Sequence, residues 1–173
     1  MSAEIRDDMR PCGTSSHEGL VRPGVRLAVD LGSVRIGVAA CDPSGLLAFP
    51  LETVRRGSGD VERLAALATE HEVLEVLLGL PRGLSGREGE AARIVREFAT
   101  RLAAALPCPV RLVDERLSTV TAGSQMRAAG VSSKKGRSAI DQAAAVVFLQ
   151  TALDSERVTG NAPGEPVPQA DLG

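Results

Sequence analysis

From residue 25 to residue 54 the chain alternates apolar and polar positions in three short runs broken by turn residues. Val25–Leu31 is β-branched and alternating, which predicts a strand. Gly32-Ser33 makes a turn, Arg35–Cys41 a second strand, Asp42-Pro43-Ser44-Gly45 another turn, and Leu46–Val54 a third strand. Connections this short imply an antiparallel meander. The period then changes. Asp60 can cap a helix running to His71, with Val61, Leu64, Leu67 and Ala68 on one face. Val73–Leu80 is a nearly unbroken apolar run, which suits a buried parallel strand. Glu88–Leu106 reads as a long amphipathic helix with Ile94, Val95, Phe98, Leu102 and Leu106 inward. Val110–Val113 is a further strand, Ser118–Ala129 a capped helix ended at Gly130, residues 130–137 a polar loop, and Ser138–Ser155 a last helix.

The order β-β-β-α-β-α-β-α-α predicts an α/β fold: a mixed five-stranded sheet, three strands antiparallel and two parallel, with helices on both faces. Ligands on such sheets gather at the carboxyl ends of strands near a topological switch point, here the ends of the first, fourth and fifth strands. Residues 1–24 have no apolar period, and residues 159–173 carry three Pro and three Gly. Both are expected to be disordered tails, because neither buries enough apolar surface to offset its ordering entropy. The expected organisation is a tail over 1–24, one folded domain over 25–157 and a tail over 158–173.

Composition narrows the function. Of 173 residues, 43 % are apolar and 24 % charged, the balance of an ordinary globular protein. Aromatics are only 2 %, three Phe with no Tyr or Trp, which excludes a base-stacking platform. The net charge of −2 argues against bulk electrostatic attraction to nucleic acid. That charge is unevenly spread: Arg111 to Arg137 holds six basic residues against two acids. No apolar run approaches the length of a membrane span, and the mixed-charge start does not resemble a signal peptide. Cys12, Cys41 and Cys108 are widely spaced, with no nearby His, and fit free thiols in a reducing cytoplasm. His17 and His71 read as solvated surface residues.

Carboxylates stand out at three places. Asp30 lies in Leu27-Ala28-Val29-Asp30-Leu31-Gly32, a strand that should be central. A carboxylate there either caps the turn at Gly32 or binds a cation. Asp114 and Glu115 end the last strand, where they can meet a helix dipole or, with Asp30, a metal. Asp141 opens an Ala-rich helix and has Ile140, Ala144, Val147 and Phe148 around it at helical spacing. Acids converging on one rim need a cation, and oxygen donors without His or Cys suit Mg²⁺ or Mn²⁺. Such ions can activate water and stabilise the leaving oxygen of a phosphodiester. Lys134-Lys135-Gly136-Arg137, read as a basic loop just before Asp141, is either a solvated loop or a phosphate clamp. Gly83-Leu84-Ser85-Gly86 is a weaker phosphate signal.

Ala28-Val29-Asp30-Leu31-Gly32-Ser33-Val34-Arg35-Ile36-Gly37-Val38-Ala39, Val76-Leu77-Leu78-Gly79-Leu80-Pro81, Asp114-Glu115-Arg116-Leu117-Ser118-Thr119 and Ile140-Asp141-Gln142-Ala143-Ala144-Ala145 together closely resemble the YqgF/RuvX family, over about residues 25–155. The resemblance implies an RNase H-like fold related to the RuvC resolvase, and a role in processing the 5′ end of pre-16S rRNA. It implies metal-binding and catalytic acids at Asp30, Glu115 and Asp141. The fourth strand ends in Gly79-Leu80-Pro81, where RNase H-like relatives often place an acid, and Ala144, one turn past Asp141, stands where RuvC-like enzymes tend to carry a second, so the resemblance implies three carboxylates and not four.

The resulting expectation is a Mg²⁺- or Mn²⁺-dependent nuclease acting on structured nucleic acid, pre-rRNA or branched DNA. Arg35, Arg116, Lys134, Lys135 and Arg137 would hold the backbone. A homodimer would suit a branched substrate. Two other classes remain: a non-catalytic ribosome-assembly factor, and a nucleotide binder of the sugar-kinase type, for which one domain is too small. The low aromatic content then reads as a mode of binding, through phosphates and shape.

Overall fold

In β1, Arg26–Leu31, side chains alternate between two cores, and that alternation organises the whole sheet. The computed structural model of the chain describes residues 21–117 and 134–169. β1 is followed by β2 (Arg35–Cys41), β3 (Ala48–Arg55), α1 (Asp60–Glu70), β4 (Glu75–Leu80), α2 (Glu90–Ala105), β5 (Val110–Asp114), a single 3₁₀ turn (Glu115–Leu117), α3 (Lys134–Thr159) and β6 (Glu165–Pro166). The strands lie in the order β3-β2-β1-β4-β5-β6. β1, β2 and β3 pair antiparallel, β1, β4 and β5 pair parallel, and β6 runs antiparallel to β5. The switch point of the sheet therefore falls at β1, the strand that carries Asp30.

Leu27, Val29, Val76, Leu78, Val110 and Leu112 face α1 and α2, which bury Leu64, Leu67, Val95, Phe98 and Leu102 against them. Each large apolar side chain fully buried there contributes about 1.5–3 kcal/mol. Ile94 was expected inward, but it is 40 % exposed, because Ala92, Val95 and Ala99 define the inner stripe of α2 instead. On the opposite face Ala28, Ala39, Leu77 and Val113 meet Ala145, Leu149, Ala152 and Leu153 of α3. Small side chains dominate this face, so α3 lies close to the strands. Closest of all is Gly37, where an added methyl would lie 2.1 Å from the carbonyl oxygen of Asp141.

The far end of α3 is fixed by charge. Arg26 is fully buried beside Glu75 and Glu156, and Arg22 reaches both acids from outside. Burial pushes the Glu156 carboxyl up, but hydrogen bonds from Arg22 and the charge of Arg26 outweigh it and hold Glu156 below the ordinary carboxylate range.

The structure corrects three further expectations. The sheet has six strands instead of five, because the segment read as a disordered C-terminal tail docks on β5. There Val167 N donates to the Val110 carbonyl at 2.8 Å, Arg111 Nε to the Pro163 carbonyl, and Gln169 Nε2 to the Cys108 carbonyl. Proline is tolerated on an edge strand, where its missing N–H interrupts no ladder, and Val167 joins the core. At the other end, residues 21–24 also lie against the fold, with Gly24 N donating to the Pro43 carbonyl. Finally, Lys134-Lys135-Gly136-Arg137 is the first turn of α3 and not a loop, as Lys and Arg are good helix formers. The helix expected over Ser118–Ala129 lies outside the described residues.

Candidate functional site

Asp30 sits on the α3 side of β1 with a glycine on each flank. Gly37 of β2 is its antiparallel partner. The pairing of Val29 with Leu78 sets Gly79 of β4 at the same level on the other side. Paired residues point to the same face, so the strands beside Asp30 carry no side chain where its carboxylate emerges. Both gaps are filled from elsewhere. Glu115, the first residue after β5, folds back over Gly79: a methyl built there would lie 2.6 Å from Glu115 Oε1 and 2.8 Å from its Cγ. Asp141, in the second turn of α3, sets its backbone over Gly37. The three acids thus reach one level of one sheet face from a central strand, from the end of β5 and from α3.

All three are half-buried. Asp141 is turned toward β2, where Arg35 Nε donates to its Oδ2 at 2.9 Å. With Asp141 held there, no three acidic, His or Cys side chains among the described residues are gathered closely enough to form a metal-ligand set. The donor chemistry nevertheless fits a hard cation, since every candidate ligand is a carboxylate oxygen.

Asp114 is separated from this group by the pleat. It lies on the Leu112 side of β5 and binds the backbone N, Nε and Nη2 of Arg116. The Arg116 guanidinium holds the Asp114 carboxyl below its ordinary range. Arg116 itself is exposed and committed to that acid. Arg137 is exposed in the first turn of α3, and Lys134 and Lys135 precede it there in the chain. Of the basic residues expected from the sequence, Arg35 contacts one of the three acids, Asp141. The Gly83–Gly86 turn is closed on itself, Gly86 N donating to the Gly83 carbonyl. Sequence reasoning missed Arg55 of β3, which faces Arg35 directly across the sheet.

A six-stranded mixed sheet whose central strand, β5 end and last helix bring acids to one face defines an α/β protein of the RNase H-like class. The chain belongs to the RuvX family, whose model, described as a Holliday junction resolvase, matches residues 24–155. A relative from Streptomyces avermitilis named "Putative pre-16S rRNA nuclease" is 61 % identical over 150 residues, covering 85 % of this chain and 96 % of its own. A protein of the same name from Thermobifida fusca is 58 % identical over 153 residues, covering 84 % and 96 %. Among solved structures, Thermus thermophilus RuvC in complex with a Holliday junction substrate superposes with a TM-score of 0.52 at 17 % identity, over 81 % of this chain and 99 % of that one, a likeness of fold.

Proposed function

We propose that this chain is a metal-dependent nuclease that hydrolyses a phosphodiester in structured RNA and trims the 5′ end of pre-16S rRNA in the cytoplasm. The observation that carries the reading is the convergence of Asp30, Glu115 and Asp141 on one face, with Gly37 and Gly79 letting the Asp141 backbone and the Glu115 side chain come close beside Asp30. The pre-16S substrate follows from the relatives that share more than half of their residues with this chain. Two buried free thiols, both raised above their usual range mainly by burial, suit a reducing compartment. Among the described residues no helix is long and apolar enough to cross a membrane.

Asp30, Glu115 and, once Arg35 releases it, Asp141 would hold Mg²⁺ or Mn²⁺. The ion would supply Lewis acidity toward a phosphate oxygen and a more acidic bound water. The chain's own part is to hold three carboxylates on rigid elements and to seat the backbone with its basic groups. Branched DNA is the second reading, favoured by the family's description and by the RuvC-like fold, and a homodimer would then present two sites.

The test is Mg²⁺- and Mn²⁺-dependent cleavage of a pre-16S 5′ leader RNA and of a four-way DNA junction, with Asp30→Asn as the control. Asn keeps the shape and removes the charge, so cleavage should fall at least about 100-fold. Cleavage undiminished in Asp30→Asn would falsify the site. A wild-type chain that binds the RNA yet cleaves neither substrate with either metal would point to an assembly factor.

A further inference from the structure

The sheet register sets Arg35 of β2 directly opposite Arg55 of β3. Like charges facing one another across neighbouring strands destabilise a sheet unless an opposite charge lies between them. Asp141 offsets Arg35 through its Nε. Arg55 is exposed and makes no ion pair among the described residues. Both arginines line a cleft of about 480 Å³ whose other described walls are Val34, Thr53 and Ser138, none of them an acid.

The hydroxyls of this cleft are already engaged. Thr53 Oγ1 accepts from Ser138 Oγ at 2.7 Å and from Gln142 Nε2 at 3.0 Å, and donates to the Ser138 carbonyl at 3.3 Å. That network ties β3 to the start of α3 and fixes the width of the cleft. The guanidinium groups supply the open donors: the terminal amino groups of Arg35, whose described bond uses Nε, and the whole fork of Arg55. Two planar forks converging on a cleft with no acid among its described walls match the tetrahedral oxygens of a phosphate. Among the described residues of the cleft none is aromatic, so a flat base finds no stacking partner in them.

We propose that this cleft is a subsite for one backbone phosphate of the nucleic-acid strand, gripped jointly by Arg35 and Arg55 beside the acids. The proposal rests on the nuclease reading and deepens it: the strand would cross the β2–β3 side of the sheet before reaching Asp30. Val34, 59 % exposed on the lip, would lie against the adjoining sugar.

The test is fluorescence anisotropy with Ca²⁺ replacing Mg²⁺, using a labelled pre-16S leader RNA and a labelled four-way DNA junction as probes. Arg55→Gln should weaken binding of the cleavable probe by about tenfold and reduce the salt slope by about one. Arg55→Lys should keep most of the salt slope. Arg55 is exposed, so an unchanged melting temperature checks that the variant folds. Single methylphosphonates walked along the strand should reveal one position that weakens the wild type and leaves Arg55→Gln unaffected. Unchanged affinity and slope in Arg55→Gln, or no such position, would overturn the subsite and leave the nuclease reading standing. Failure of the wild-type chain to bind either probe would overturn both.

Discussion

Arg35 donates through Nε to Oδ2 of Asp141 at 2.9 Å, so one acid of the site is neutralised by a cation from the strand next to Asp30. A divalent ion would compete with Arg35 for that carboxylate. Arg35→Gln is therefore expected to raise the Mn²⁺ affinity of the free protein by about fivefold, roughly 1 kcal/mol for a half-exposed pair. It should also weaken binding of the nucleic-acid strand. Calorimetric titration with Mn²⁺ reads the first effect and anisotropy the second. A drop in Mn²⁺ affinity would show that Arg35 orients Asp141 for the ion and does not compete with it.

The two glycines beside Asp30 should respond differently to one added methyl. At Gly37 the methyl meets the Asp141 carbonyl at 2.1 Å, so the backbone of α3 must move. Gly37→Ala should cost about 1–3 kcal/mol in urea denaturation. At Gly79 it meets Glu115 Oε1 at 2.6 Å and Cγ at 2.8 Å, so a side chain must give way and not a backbone. Gly79→Ala should keep its stability within about 1 kcal/mol, while the displaced carboxylate lowers cleavage by about 100-fold. Equal losses of stability in both variants would refute the assignment of Gly79 to the site.

Asp114 and Glu115 are neighbours in sequence with opposite surroundings. Glu115→Gln should weaken Mn²⁺ binding at least about tenfold. Asp114→Asn should leave it unchanged, since that side chain lies across the pleat and serves Arg116. The same titration on both variants decides, and equal weakening would put Asp114 among the ligands.

Glu156 should be a stability residue. Removing its charge leaves Arg26 buried beside Glu75 alone and strips Arg22 of its main partner. Glu156→Gln should therefore cost about 3 kcal/mol in chemical denaturation. The pH dependence follows from the depressed carboxyl. Its contribution is complete above the unfolded value of about 4.3 and is lost as pH falls through the lower folded value. The wild type should thus lose stability below about pH 4.3 more steeply than Glu156→Gln. Parallel acid titrations of the two would contradict this.

Much of the fold could be read from alternation alone. The placement of Asp30 on the small-residue face of β1 follows from Ala28 two positions earlier, and the buried run ending at Leu80 reads directly as β4. The opposition of Arg35 and Arg55 could not be read, because a register shift between Val38 and Ala39 decides which residues of β3 face β2. Nor could Glu115 be placed over Gly79. That contact depends on the 3₁₀ turn that follows β5, two strands away from Asp30. Composition misjudged the C-terminal segment, since a Pro- and Gly-rich stretch that cannot fold alone can still complete an edge already built.

That completed edge has a consequence for self-association. With β6 laid along β5, the described sheet has its other full-length rim at β3. There Pro50 offers no N–H to an approaching strand, and the irregular register beside it twists the rim away from flatness. A chain cut at residue 155, where the family match stops, would bare the β5 rim and its unpaired backbone groups. The last residues thus act as a guard against strand-to-strand aggregation, and a shortened form of this protein should be the stickier one.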